Sequence, residues 1–317
     1  MKIAVLGAGA MGSLVGGLLA EGGHEVTLIS TWAEHVETVN REGLLVEGQG
    51  GRRRVGVLAS LSAAEAGPAE LVIVAVKAPQ TREAMAGALG LVGPETVVLT
   101  LQNGLGNVES LAEAVGPGPV VAGALSHGAR LEGPGRVRHA GGGGLALGEL
   151  SGRITGRLRG LGRIFEESGL APVSLSDNVQ GLIWGKLIVN VAINAVSALA
   201  RIRNGQILEF PEAGEISRLA VLEAVEVAGR KGIILPGDPV GFTREVARAT
   251  GANISSMLED ILRRRPTEIE VINGAVVREG EALGVPVPVN KVLTGLVSVC
   301  QRTYPQDNVC DLKSGEG

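Results

Sequence analysis

KIAVLGAGAMG, Lys2 to Gly12, decides how the first half of the chain reads. An apolar run ending at Leu6 has the character of a buried strand. Gly7-Ala8-Gly9-Ala10-Met11-Gly12 follows at once with GxGxxG spacing and opens a helical pattern. In that context the first glycine makes a tight turn and the second lets backbone approach a pyrophosphate. The third permits close packing of helix on strand. The helix N-terminus then faces the phosphates, so all six residues of the loop are candidates for holding a dinucleotide.

Outward from this stretch, short β-branched runs alternate with helical patterns. EVTLIS, ELVIVAVK and TVVLTLQN read as further buried strands. Met11–Glu21, Ala33–Arg41, Gln80–Leu89 and Asn107–Ala114 read as the helices between them. This alternation predicts a parallel sheet with crossover helices. Val120 to Leu147 holds strands separated by EGPGR and AGGGG turns, which predicts an extension of the sheet. A helix over 152–168 follows.

After Asp177 strand signals nearly vanish, and helical patterns run over 178–199, 212–232, 240–249, 254–264, 267–283 and from Asn290. The fold class is therefore α/β. A Rossmann-type dinucleotide-binding domain over 1–175 precedes an all-helical domain for substrate and catalysis over 176–317.

One helix in the second half breaks its own pattern. GLIWGKLIVNVAINAVSALA, Gly181 to Ala200, is apolar nearly all round, as a buried helix would be. Yet Lys186, Asn190 and Asn194 recur at steps of four, which stacks them on one face. A lysine and two amides near the middle make a bilayer span costly. An ammonium that reaches a carbonyl oxygen can stabilise developing negative charge and protonate it, and two amides can hold a substrate without adding charge.

Other polar groups stand where ligands gather in an open α/β sheet, beyond the carboxyl ends of strands. They are Lys77 in Val76-Lys77-Ala78 and Asn103 in Leu101-Gln102-Asn103-Gly104. Asn253-Ile254-Ser255-Ser256 reads as a helix start whose free N–H groups suit a carboxylate. The second strand ends in Ile29-Ser30-Thr31-Trp32, with neither the acid that binds NAD ribose nor the base that takes an NADP 2′-phosphate.

A formal net charge of −4 gives no nucleic-acid footprint, and the Arg52–Arg54 and Arg263–Arg265 runs are short enough to be solvated element ends. Cys300, Cys310 and four scattered histidines have no metal-ligand spacing. No secretory leader is expected, and a cytoplasmic setting fits the low cysteine content. A small-molecule substrate is expected, with no nucleic-acid or membrane partner and with a homodimer as the assembly.

Taken in order, the glycine loop, VKA, QNG, EGPGRVRH, WGKLIVNVAIN, NISSMLEDILRRRPTEIEVINGAVV and GVPVPVN resemble the ketopantoate reductase (2-dehydropantoate 2-reductase) family over nearly the whole chain. The resemblance implies NADPH-dependent reduction of 2-dehydropantoate to (R)-pantoate, a step towards pantothenate and coenzyme A, in a cleft between the two domains. It implies that Lys186 donates the proton, with Glu268 of the TEIE motif beside cofactor and substrate. Asn190, Asn194, Asn204, Asn253, Ser255 and Ser256 would contact substrate. Gly7 to Gly12, Thr31, Lys77, Asn103 and Ala129 would hold the cofactor, with NADP(H) favoured over NAD(H). At Thr31 the chain departs from well-known members, which carry an arginine there. A related reductase of another 2-oxo acid or imine, or a non-catalytic dinucleotide sensor, would share much of this apparatus.

Overall fold

Ile3 and Val5 point to one face of the main sheet and Ala4 and Leu6 to the other, and all four are buried. A strand covered on both faces belongs in a parallel sheet, which is why it reads as an unbroken apolar run. The computed structural model describes residues 1–170 and 172–304. These fall into two compact units, 1–102 with 106–183, and 103–105 with 184 onward.

In the first unit the chain runs β1 (Lys2–Leu6), α1 (Ala10–Glu21), β2 (Glu25–Ile29), α2 (Ala33–Glu42), β3 (Leu44–Gly48), β4 (Arg53–Val55) and β5 (Leu58–Ser60). It continues through α3 (Ala63–Ala66), β6 (Ala69–Val74), α4 (Thr81–Ala86), β7 (Val92–Thr100), α5 (Asn107–Val115) and β8 (Val120–Leu125). Then come β9 (Gly128–Gly133), β10 (Arg136–Gly141), β11 (Leu145–Glu149), α6 (Gly156–Glu167) and β12 (Val173–Ser176). Eight strands form one sheet in the order β12-β11-β8-β7-β6-β1-β2-β5. Its pairs are parallel except β8 with β11. One apolar cluster, with Leu14, Leu18 and Phe165, covers the Val5 face; another, with Met85 and Leu111, covers the Leu6 face.

The expected sheet extension over 120–147 is half right. β8 and β11 extend the main sheet, but β9 and β10 leave it and join β3 and β4 in a separate four-stranded sheet. The Arg52–Arg54 run opens β4, with Arg52 and Arg54 exposed as a solvated element end would be, and Arg53 and Arg54 pair with Glu21 and Glu42. Arg263 and Arg265 do follow a helix, where they pair with Glu259 and Asp260.

α7 (Val179–Ala200) starts in the first unit, where Val179 joins the core. From Trp184 it is the central helix of the second, with Trp184, Leu187, Ile188, Val191 and Ala195 buried. It is long and apolar enough to cross a membrane, but those contacts make it the core of a helical unit. Around it pack α8 (Gln206–Glu209), α9 (Pro211–Arg230), α10 (Pro239–Ala249), α11 (Ser256–Leu262), α12 (Asn273–Leu283) and α13 (Pro288–Arg302). The helix expected over 267–283 is broken: a 3-10 turn at Ile269–Val271 precedes α12. The Val271 carbonyl accepts the Leu105 N–H at 2.9 Å, so the break docks a segment distant in sequence. Cys300 is half-buried and free; Cys310 lies outside the described residues.

Candidate active site

The glycine turn in the first unit has the geometry its spacing predicts. Gly7 has φ +104°, and a Cβ there would meet the Val76 nitrogen at 2.6 Å. A Cβ on Gly12 would lie 2.0 Å from the Gly7 carbonyl, so only glycine lets α1 start so close to the strand. Gly9 differs: its φ is −73° and a Cβ would meet nothing within 4 Å among the described residues. Its space is open to a ligand rather than closed by packing. The Ile29 carbonyl accepts both the Gly7 and Ala8 N–H groups, which fixes the turn to the end of β2. Gly9 caps α1 without a side-chain hydrogen bond, so the N–H groups that open the helix from Ala10 to Gly12 take no side-chain cap among the described residues. These residues fit the pyrophosphate of a dinucleotide.

Thr31 and Trp32 are exposed just beyond β2. Lys77 is exposed beyond β6, and Gln102 ties that segment down, its amide donating to the Val76 carbonyl at 2.8 Å and to Thr81 at 2.7 Å. Ala129 lies on β9 opposite His139 and packs against the main core. The turn and Val76 are thus brought together, while Ala129 belongs to the second sheet.

The remaining candidates gather in the second unit. Lys186 and Asn190 are half-buried on α7, and Asn194 is buried one turn further on. Desolvation lowers the Lys186 ammonium to about 8, against the attraction of Glu268, which raises it. Asn190 and Asn194 each bury an Nδ2 that has no partner among the described residues. Orphaned donors of this kind in a folded core call for a ligand or water. Glu268 is 9% exposed and its Oε2 accepts from Asn103 Nδ2 at 3.2 Å. Asn103 reaches it because Gly104, at φ +82°, lies against Val271, where a Cβ would come within 2.4 Å of the carbonyl.

Asn204 donates through Nδ2 to Thr250 at 3.0 Å, and its N–H to the Asn253 carbonyl at 3.0 Å; its Oδ1 is buried with no partner among the described residues. Asn253 and Ser256 are exposed. Ser255 is buried, caps α11 by accepting the Leu258 N–H, and takes a hydrogen bond from Ser197 at 2.8 Å. Ser197 and Thr250 escaped the sequence reading. Ser197 stands three residues beyond Asn194, so extending the polar row of α7 by one turn would have found it. Thr250 carries no such pattern.

A parallel sheet with a dinucleotide turn, joined to a helical unit whose central helix holds an ammonium beside a carboxylate, is the build of a pyridine-nucleotide-dependent oxidoreductase. Residues 3–152 match the family described as ketopantoate reductase PanE/ApbA, and residues 178–301 match its C-terminal counterpart. The chain belongs to that family. It is 39% identical over 303 residues to a 2-dehydropantoate 2-reductase of Halobacterium salinarum, covering 95% of this chain and 99% of that one. Among solved structures it is similar to a PanE/ApbA family ketopantoate reductase from Ralstonia eutropha JMP134, with 36% identity, a TM-score of 0.88 and 96% and 99% of the two chains covered. It is also similar to D-mandelate dehydrogenase in complex with NADH and anilino(oxo)acetate, with 31% identity, a TM-score of 0.89 and the same coverage.

Proposed function

We propose that this chain reduces 2-dehydropantoate to (R)-pantoate with NADPH in preference to NADH, as a soluble cytoplasmic enzyme of pantothenate and coenzyme A synthesis. The observation that carries the reading is the row on α7, an ammonium lowered to about 8 followed by two asparagines, each with a buried Nδ2 that has no partner among the described residues. The bound dinucleotide supplies the hydride. Gly7 to Gly12 hold its pyrophosphate, with Thr31, Lys77, Asn103 and Ala129 along the rest of the molecule. Lys186 donates a hydrogen bond to the substrate's keto oxygen and gives up its proton as charge develops there. Glu268 keeps that ammonium charged. Asn190, Asn194 and Asn204 orient the substrate, and the start of α11 at Asn253, Ser255 and Ser256 receives its carboxylate.

Cofactor oxidation measured with 2-dehydropantoate, NADPH and NADH side by side tests this reading. A higher kcat/KM with NADPH is expected; no turnover with either would overturn it. A second reading, reduction of another 2-oxo acid with NADH, draws support from the likeness to the NADH complex of D-mandelate dehydrogenase and from the absence of a cation at Thr31. Ranking kcat/KM across branched and aromatic 2-oxo acids separates the two. Phe210, Ile216, Val292 and Leu296, all exposed around one cavity of the helical unit, support the homodimer. Light scattering that gives the mass of a monomer would remove that part.

A further inference from the structure

His35 and Ser13 are both completely buried, yet neither belongs to the chemistry described above. They form a hydrogen-bonded line with one possible direction. It starts at Gly135, in the EGPGR turn between β9 and β10, whose N–H donates to His35 Nδ1 at 3.0 Å. An N–H can only donate, so Nδ1 holds a lone pair and the ring proton sits on Nε2. Burial lowers the imidazole from its usual range, which keeps it neutral. Nε2 lies 3.3 Å from Ser13 Oγ and therefore donates to it. The hydroxyl proton is then free for the Ala8 carbonyl, at 3.1 Å. Trp32 stacks on the imidazole at 5.5 Å with 17° between the planes, which fixes the ring on its face as well as its edges. Gly135 reaches this position because it lacks a side chain: at φ +62°, a Cβ would meet Thr38 of α2 at 2.6 Å.

The end of the line is the glycine turn. Across a planar trans peptide the Ala8 carbonyl and the Gly9 N–H point in opposite directions. Drawing the carbonyl inward to Ser13 turns the Gly9 N–H outward, at the one glycine of the turn whose surroundings are open. The N–H groups of Gly7 and Ala8 are already taken by Ile29, so Gly9 is the first donor left for a phosphate. We propose that Ser13 and His35 are positioning residues that aim the Gly9 N–H at the pyrophosphate of the dinucleotide, with the Gly135 N–H setting the direction of the line. The second sheet thereby acquires a role: its β9–β10 turn supplies the donor that orders the dinucleotide turn.

This proposal rests on the dinucleotide reading of the turn, and one series of experiments separates the two. NADPH and NADH are titrated calorimetrically into the intact wild-type protein and into Ser13→Ala, His35→Phe and the double variant, each checked for its native circular dichroism. His35→Phe retains a ring against Trp32 but neither nitrogen. Ser13→Ala is expected to raise the dinucleotide Kd about fivefold or more. Its kcat at saturating dinucleotide and its KM for the oxo acid stay within about twofold of wild type. Because the two residues act in series, the double variant is expected to match Ser13→Ala rather than multiply the losses. Wild-type protein that binds neither dinucleotide would sink the reading of the turn itself. Wild-type protein that binds, with a folded Ser13→Ala of unchanged Kd or with multiplicative losses in the double variant, would overturn the relay alone. If His35→Phe fails to fold, Ser13→Ala decides.

Discussion

Asn103 Nδ2 donates to Glu268 Oε2 at 3.2 Å, joining residues 165 positions apart in the sequence. The bond holds one carboxylate oxygen of the acid whose charge supports the Lys186 ammonium. Glu268→Gln removes that charge while keeping an oxygen for Asn103. Lys186 should then lose its proton at lower pH. The proton donor must be charged, so kcat/KM in the reductive direction is expected to fall as pH rises through about 8 in the wild type. In Glu268→Gln that alkaline limb should move below 8. A pH–rate profile checks both, and an unmoved limb would detach Glu268 from Lys186. Lys186→Ala should lower turnover by about a hundredfold or more without changing dinucleotide affinity.

The same lysine weakens the fold. Desolvation outweighs the attraction of Glu268, so the folded protein holds this proton less tightly than the unfolded chain. The cost is complete below pH 8 and disappears towards the usual lysine value of 10.5. Lys186→Met is therefore expected to raise stability at pH 7 by about 1–3 kcal/mol while abolishing turnover. The gain should shrink at pH 10. A urea melt showing Lys186→Met less stable at pH 7 would contradict the sign.

Two glycines of one motif should respond to the same substitution in opposite ways. A methyl on Gly12 would lie 2.0 Å from the Gly7 carbonyl, so Gly12→Ala is expected to cost about 2 kcal/mol or more. Gly9→Ala meets nothing within 4 Å among the described residues and leaves φ at −73°, so its melting temperature should stay near wild type. Its methyl enters ligand space, so its dinucleotide Kd should rise about tenfold or more. Thermal melts and binding titrations of the pair would expose the idea as wrong if Gly9→Ala bound normally.

All four histidines, His24, His35, His127 and His139, lie in the first unit, and burial lowers each below the usual 6.5. A group whose folded pKa is depressed contributes stability above its unfolded value and loses it as pH falls through the folded one. Stability should therefore begin to drop below about pH 6.5, ahead of the carboxylates. His127 and His139 add to this, because their rings share one hydrogen bond at 2.9 Å and cannot both charge cheaply. Equal urea midpoints at pH 7.5 and pH 5 would refute the prediction.

The parallel strands were legible because burial on both faces leaves an unbroken apolar run, as in Leu71 to Val74. α7 was legible because its polar row keeps helical spacing inside an apolar helix. β3 and β4 were not. Glycines at 43, 48, 50 and 51 and three arginines give residues 43–55 the composition of a loop, and β3 takes one of its two partners from β10, far along the chain. The break before α12 was equally hidden, since the Val271 carbonyl there accepts its hydrogen bond from the Leu105 N–H, far away in the sequence. Of the site, the chemical groups could be read from residue type and spacing. The orphaned amides, the lowered lysine and the Ser13–His35 line depend on burial and on partners a hundred residues away.

The tripeptide Asn103-Gly104-Leu105 folds with the helical unit although its neighbours on either side in sequence do not. Grafting residues 184–304 of this protein onto a homologous scaffold would leave behind the amide for Glu268 and the N–H for Val271. A working chimera must exchange two stretches of gene, and the shorter one encodes three amino acids.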